Sequence, residues 1–109
     1  MAETTDSDRL LKVLDDLEGL LLQYGESFWA ECINGATTRI RNSEEYGLDE
    51  LLGFFGGMGS INDLIICPEN GHRITHEDEP TVNMQLASLV EQASTLVHEV
   101  RLQHQAKIQ

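Results

Sequence analysis

The strongest constraint on the fold is an apolar repeat at helical spacing near each end of the chain. The first repeat consists of Leu10, Leu14, Leu17 and Leu21. The second consists of Val82, Leu86, Leu89, Ala93, Leu96 and Val100, with Val90 and Val97 beside it. Steps of four and three residues align side chains along one face of an α-helix. The sequence therefore predicts an amphipathic helix at each end, and the long final seam suits a core or a helix–helix interface equally well.

Start and stop signals mark the limits of these two helices. Asp6 or Ser7 is predicted to cap the first helix, because either side chain can accept a hydrogen bond from a free backbone N–H. Gly25 is predicted to end that helix in the left-handed conformation. For the final helix, the predicted cap is Thr81 or Asn83.

Two more helices are predicted between them. The second covers about residues 27–42, where Trp29 is expected to be a core anchor. The third covers about residues 44–55, and acids in its first turns suit the positive end of the helix dipole.

The helical pattern then breaks at the glycine-rich segment 56–60, which predicts a sharp bend. Residues 61–67 contain an aliphatic run typical of a short strand, and 72–75 are predicted to be its return strand. Asn70 and Gly71 between them form a dipeptide that favours a hairpin turn.

The predicted fold class is therefore mainly α. We expect a compact bundle of about four helices, with the glycine-rich bend and a small β-hairpin before the last helix. A chain of 109 residues fits one domain spanning 1–109, in which 1–6 and 103–109 are frayed or extended.

Charge is the strongest departure of this composition from the average. The chain has 19 Asp and Glu against seven Lys and Arg, which gives a formal net charge of −12. Such a surface repels nucleic acid and anionic membranes and attracts cationic partners. Acidity that only aids solubility is the simpler alternative.

The sequence predicts a cytoplasmic protein. Its N-terminus is acidic and lacks the basic and apolar regions of a signal peptide, and no apolar run approaches a membrane span. Cys32 and Cys67 are too few for a disulfide scaffold, so both thiols are expected to be reduced.

Candidate chemistry is sparse, and the sequence predicts no enzyme, no metal and no cofactor. The ligand-like residues Cys67, His72, His76 and Asp78 have irregular spacing, although alternation on a strand would place both histidines on one face. We interpret Cys67 as a small buried residue and the histidines as surface residues. The glycine-rich segment lacks the lysine of a phosphate loop. Cys32, on an apolar helix face, is expected to have a raised pKa and to be inert.

Acidic side chains form clusters on separate predicted elements, the first being Asp15, Asp16 and Glu18. If the third helix lies beside the loop that precedes the last helix, seven other acids form one patch. These predicted partner-binding residues are Glu44, Glu45, Asp49, Glu50, Glu77, Asp78 and Glu79. A patch of this kind can cap a cationic groove with fast, salt-sensitive association.

The segment Leu52-Gly53-Phe54-Phe55-Gly56-Gly57-Met58-Gly59-Ser60-Ile61-Asn62-Asp63-Leu64 resembles the signature of an uncharacterised bacterial family of small acidic proteins. That family shares the layout of a Leu-rich helix, a Trp-containing helix, a short helix, the FGGMGSxNDL signature and a closing helix. Its members look like the immunity partners of secreted antibacterial toxins. The resemblance implies a binding role and assigns no residue a function.

These observations lead to a predicted immunity or inhibitor protein that neutralises a cognate toxin with a basic surface. Two alternatives stay open. One is a small metal-binding or enzymatic accessory protein that uses Cys67, His72 and His76. The other is an adaptor subunit that forms a homodimer through the last helix.

Overall fold

A computed structural model describes residues 4–56 and 59–108, with side chains to residue 103. Its described residues form four α-helices, which confirms the predicted mainly helical bundle. The helices are α1 (Asp6–Gln23), α2 (Ser27–Arg41), α3 (Tyr46–Phe54) and α4 (Glu79–Ile108). Over the part of the chain described, no helix is long and apolar enough to cross a membrane.

The start of α1 is fixed by a capping box, one residue earlier than predicted. Thr5 Oγ1 accepts a hydrogen bond from Asp8 N at 3.1 Å, and the Asp8 carboxylate accepts one from Thr5 N at 3.3 Å. The predicted cap Asp6 instead lies in the first helical turn. A reciprocal pair satisfies two backbone donors, which a single cap at Asp6 or Ser7 would not do. At the other end Gly25 has φ +81°, as predicted.

Helix α1 is the centre of the core, and α2 and α4 pack against it. Leu10, Leu14, Leu17 and Leu21 are fully buried, as the repeat predicts. The buried stripe of α4 consists of Val82, Leu86, Val90, Ala93, Val97 and Val100. Leu89 and Leu96 of the predicted seam are only half-buried, and Val90 and Val97 beside them are buried instead. Most of the seam thus serves the core of the single chain, so a dimer through α4 would have to use its other faces.

Helices α2 and α4 both run antiparallel to α1. Gln103 Nε2 donates to Asp6 Oδ2 at 2.7 Å, which brings the end of α4 to the start of α1. Arg73 N donates to Tyr24 O at 2.9 Å, which brings the segment before α4 to the turn between α1 and α2.

Helix α3 lies against α2, where Gly47 is buried; a Cβ on Gly47 would be 3.0 Å from the backbone N of Ile40. Only glycine permits that approach.

The predicted β-hairpin is wrong, because the described residues contain no strand. Two 3-10 turns, Ile61–Asp63 and Pro68–Asn70, interrupt the segment instead. The Asn70-Gly71 turn itself is present, with Gly71 at φ +84°. The backbone of Ile66 bonds to the Asn83 side chain rather than to a return strand. A side chain distant in sequence has therefore taken the place of the strand partner.

The described part of the glycine-rich segment forms a bend, as the sequence predicts. Gly59 has φ +78°, and its N–H donates to Asp63 Oδ2 at 2.8 Å. Asn62 Nδ2 donates to Phe55 O at 2.6 Å. Gly57 and Met58 lie outside the described residues.

Helix α4 begins earlier than predicted. Thr81 and Asn83 lie inside it rather than at its cap, and Pro80 occupies its first turn. Proline suits that position because its missing N–H would have no helical partner there.

Candidate functional site

The two main acidic clusters lie at opposite ends of α4, so they do not form the single predicted patch. Asp49 of α3 is ion-paired with Arg101 near the end of α4. Glu79 begins α4, 22 positions before Arg101. At 1.5 Å per residue this separates them by about 33 Å along the helix. The acids of α3 and those of the loop before α4 are therefore far apart along the bundle.

Cations already balance part of the cluster on α3. Arg39 Nη1 lies 2.7 Å from Glu50 Oε1, and Arg101 pairs with Asp49. Glu44 and Glu45 are exposed at the start of this region. The local field is weakened because Asp49 and Glu50 have guanidinium partners.

The acids before α4 have fewer cations around them. Glu77 and Asp78 are exposed, and neither has an ion-pair partner among the side chains described. Glu79 bonds His76, whose Nε2 also lies 3.5 Å from Glu69 Oε1. We call the region formed by 65–78 and the start of α4 the acidic end. The one arginine in this region is Arg73, and its side chain lies against Gly25.

An apolar groove of about 740 Å³ adjoins this acidic end. It runs between residues 61–65 and the first half of α4. Ile65 is 57% exposed at its edge, whereas Glu79 and Glu91 contribute charge to its lining. The main apolar lining residues are Ile61, Leu64, Ile65, Pro80, Leu86 and Val90.

Asn83 holds the wall of this groove in place. Its Oδ1 accepts from Ile66 N at 2.8 Å, and its Nδ2 donates to Ile66 O at 2.9 Å. The same Nδ2 donates to Glu79 O at 2.8 Å. These bonds satisfy both backbone polar groups of the fully buried Ile66 and tie it to α4. Sequence reasoning identified Asn83 only as a helix cap.

His72 is buried, so its interpretation as a surface residue is wrong. Its Nδ1 accepts from Cys67 N at 3.1 Å, which leaves Nε2–H to donate to Glu26 Oε1 at 3.0 Å. Glu26 Oε2 also accepts from Trp29 N at 3.0 Å and so caps α2. Both ring nitrogens are occupied, which removes His72 from any metal site. The role of Glu26 was missed, although its place just before a predicted helix was a capping signal.

Trp29, the predicted core anchor, is half-buried at the edge of the core. Its ring meets those of Phe28 and Phe54 edge to face, with centroids 5.3 and 5.7 Å away. Phe28 is 65% exposed.

Three ligand-type side chains converge beside His76. One ligand atom each from Cys67, Glu69 and Glu79 lies within 4.8 Å of the other two. Cys67 is half-buried and has a free thiol. The pKa of His76 is raised, first by its hydrogen bond to Glu79 and then by the charges of Glu69 and Glu79. Asp78, part of the predicted ligand set, is outside this group.

The second cysteine has the predicted character. Burial raises the pKa of the Cys32 thiol, and the negative charges of Glu50, Glu31 and Glu26 raise it further. A thiol in this state is a poor nucleophile at neutral pH.

One comparison with known proteins gives a match. A family model described as a domain of unknown function (DUF6966) matches residues 22–75, just under half of the chain. The matched part runs from the end of α1 through the 3-10 turns and leaves out all of α4. No curated protein and no solved structure matches the chain.

Proposed function

We propose that this protein is an immunity-type inhibitor that binds and neutralises a basic bacterial toxin through its acidic end. The observation that carries the proposal is an apolar groove beside the carboxylates of Glu77 and Asp78, which have no arginine or lysine partner among the described side chains. Interfaces commonly join an apolar centre to a polar rim, and complementary charge speeds association. An apolar side chain of the toxin enters the groove, and its basic side chains pair with the rim.

The rim of the groove suits a partner of this kind. Glu79 and Glu91 line it twelve positions apart on α4, a span of about 18 Å. Glu77 and Asp78 add exposed carboxylates at one end. Met84, 74% exposed on the same face of α4 as Glu91, adds apolar contact area. A segment with alternating basic and apolar side chains matches this surface.

The cluster Glu44, Glu45, Asp49 and Glu50 has a secondary role in this proposal. It lies about 33 Å from Glu79 along α4, beyond the reach of a small interface centred on the groove. Asp49 and Glu50 also have cationic partners within the chain. These acids contribute to the proposed function through long-range attraction of the toxin.

Neutralisation in cells tests the function. The protein encoded by the neighbouring gene is expressed alone and together with this chain, and growth is measured. We expect growth arrest by the neighbour and rescue by the wild-type chain. Ala87→Trp fills the groove and should abolish rescue, whereas Gln85→Trp, on the opposite face of α4, should retain it. A harmless neighbour, or equal rescue by both variants, would contradict the proposal.

Association kinetics test the role of charge. Glu77→Gln/Asp78→Asn should slow binding of the same toxin on the order of tenfold at low salt, with little effect at high salt. The matched control is Glu31→Gln/Glu99→Gln, which removes equal charge from exposed positions away from the groove. Equal slowing by both variants would mean that the association rate depends on the net charge of the protein and not on the carboxylates of the acidic end.

A further inference from the structure

We propose that Cys67, Glu69, His76 and Glu79 form a binding site for a divalent transition-metal ion of the zinc class. The proposal does not rest on toxin binding, although the site shares Glu79 with the rim of the groove. Its ligands differ from the set that the sequence indicated. His72 leaves that set because both its nitrogens are hydrogen-bonded within the protein. Glu69 and Glu79, which the sequence did not indicate as metal ligands, join the set instead.

The convergence of the donor atoms is the first argument. Ligand atoms of Cys67, Glu69 and Glu79 lie within 4.8 Å of one another. His76 joins two of them, through Nε2 at 3.5 Å from Glu69 Oε1 and through Nδ1 bonded to Glu79. Two ligands of one tetrahedral zinc ion are about 3.5 Å apart, given metal–ligand bonds of about 2.0–2.3 Å. Cys67, Glu69 and Glu79 already lie close to that spacing, and His76, which is outside this group of three, would supply the fourth donor by rotating its side chain.

The second argument is that the backbone presents the ligands without help from the metal. The Asn83 amide bonds Ile66, the residue before Cys67, and also bonds Glu79 O. His72 Nδ1 accepts from Cys67 N on the other side. The 3-10 turn Pro68–Asn70 then returns Glu69 toward the thiol. Hydrogen bonds that orient metal ligands in this way strengthen binding.

The third argument concerns charge and ligand type. Two carboxylates and a sulfur at this distance repel one another when ionised, and His76 offsets only part of that repulsion. A divalent cation would neutralise it. The mixture of thiolate, imidazole and carboxylate favours zinc-class ions over Mg²⁺ or Ca²⁺, which prefer all-oxygen sites. Because Glu69 and His76 are largely exposed, an ion can enter from solvent without unfolding the site.

Cobalt(II) titration of the full-length protein in excess Mg²⁺ tests the proposal, because thiolate ligation gives cobalt a near-ultraviolet charge-transfer band. We expect that band to saturate at one equivalent and to be displaced by Zn²⁺. Cys67→Ser should abolish it, and Cys32→Ser should leave it unchanged. Glu69→Gln, an exposed change that does not threaten folding, should weaken cobalt binding about tenfold. Glu99→Gln should have no effect on cobalt affinity.

Three results would overturn the proposal. One is cobalt binding without a thiolate band, and another is a band that depends on Cys32. The third is affinity that Glu69→Gln and Glu99→Gln reduce equally, which would indicate only a general attraction of cations to an acidic surface. Circular dichroism of each variant without metal shows whether the helical fold is retained.

Discussion

The two ends of the bundle are both rich in acid, but they differ in what balances it. The opposite end, formed by α1 as far as Asp16, the end of α2, α3 and the end of α4, holds most of the cations. Its described ion pairs are Arg9–Asp6, Lys12–Asp16, Arg39–Glu50, Arg41–Asp15 and Arg101–Asp49. The acidic end has Arg73 and two histidines beside Glu69, Glu77, Asp78 and Glu79. Because most of the cations lie at the opposite end, the unbalanced negative charge is concentrated at the acidic end.

The two ends also differ in how they are held together. Close helix packing holds the opposite end, as the approach of Gly47 to Ile40 shows. Hydrogen bonds from Asn83 and His72 to loop backbone hold the acidic end. These hydrogen bonds hold the loop in place and leave the groove open, whereas close helix packing would fill the groove. One end is thus closely packed, whereas the other keeps a groove open to solvent.

Loss of the Asn83 clamp is expected to give the largest effect. Asn83→Ala leaves the buried N–H and C=O of Ile66 without partners, so we expect a loss of about 3 kcal/mol in the free energy of unfolding. Urea denaturation measures this loss, with exposed Gln85→Ala as the control. Hydrogen exchange should accelerate in 61–78 more than in α1 or α2. Uniform acceleration would contradict a clamp local to the acidic end.

Packing at the opposite end gives the next largest effect. Gly47→Ala places a Cβ 2.9 Å from Arg39 Cβ and 3.0 Å from Ile40 N, and should cost about 2 kcal/mol despite the better helix propensity of alanine. Gly53 lies in the same helix with nothing within 4 Å of an added Cβ. Gly53→Ala should therefore stabilise by about 0.5 kcal/mol in the same denaturation assay. Equal effects of the two changes would mean that α3 does not pack closely on α2.

An ion pair at the opposite end gives the smallest effect. Arg101→Gln removes the partner of Asp49, but both side chains are at least a third exposed. We expect a change below about 1 kcal/mol in unfolding free energy, because solvent screens such pairs. Thermal denaturation at low and high salt measures it. A larger, salt-independent loss would show that the pair holds α3 in place and does more than balance charge.

The helices were predictable because their signals are local. The leucine repeat of α1 and the turn at Gly25 depend on residues within a few positions of each other. The predicted second and third helices also match α2 and α3 to within two residues at each end.

The segment before α4 was not predictable in the same way, because distant partners decide its structure. The amide of Asn83 lies 17 positions from Ile66, and Glu26 lies 46 positions from His72. Neither partnership leaves a repeat or a spacing that a single sequence reveals. The grouping of the acids failed for the same reason: charge clusters can be read from sequence, but the distance between them depends on where α3 lies along α4.

The local potential at the two ends is the most direct test of this charge separation. Cationic and anionic nitroxide cosolutes enhance amide relaxation according to the local electrostatic potential. Measured at low salt and mildly alkaline pH, this enhancement reports the potential in the absence of a binding partner. For each amide, the relaxation enhancement by the cationic cosolute is divided by that of the anionic one. We predict that this ratio is higher for amides of 67–79 than for those of 39–50. Equal ratios, or a higher ratio at the opposite end, would contradict the account.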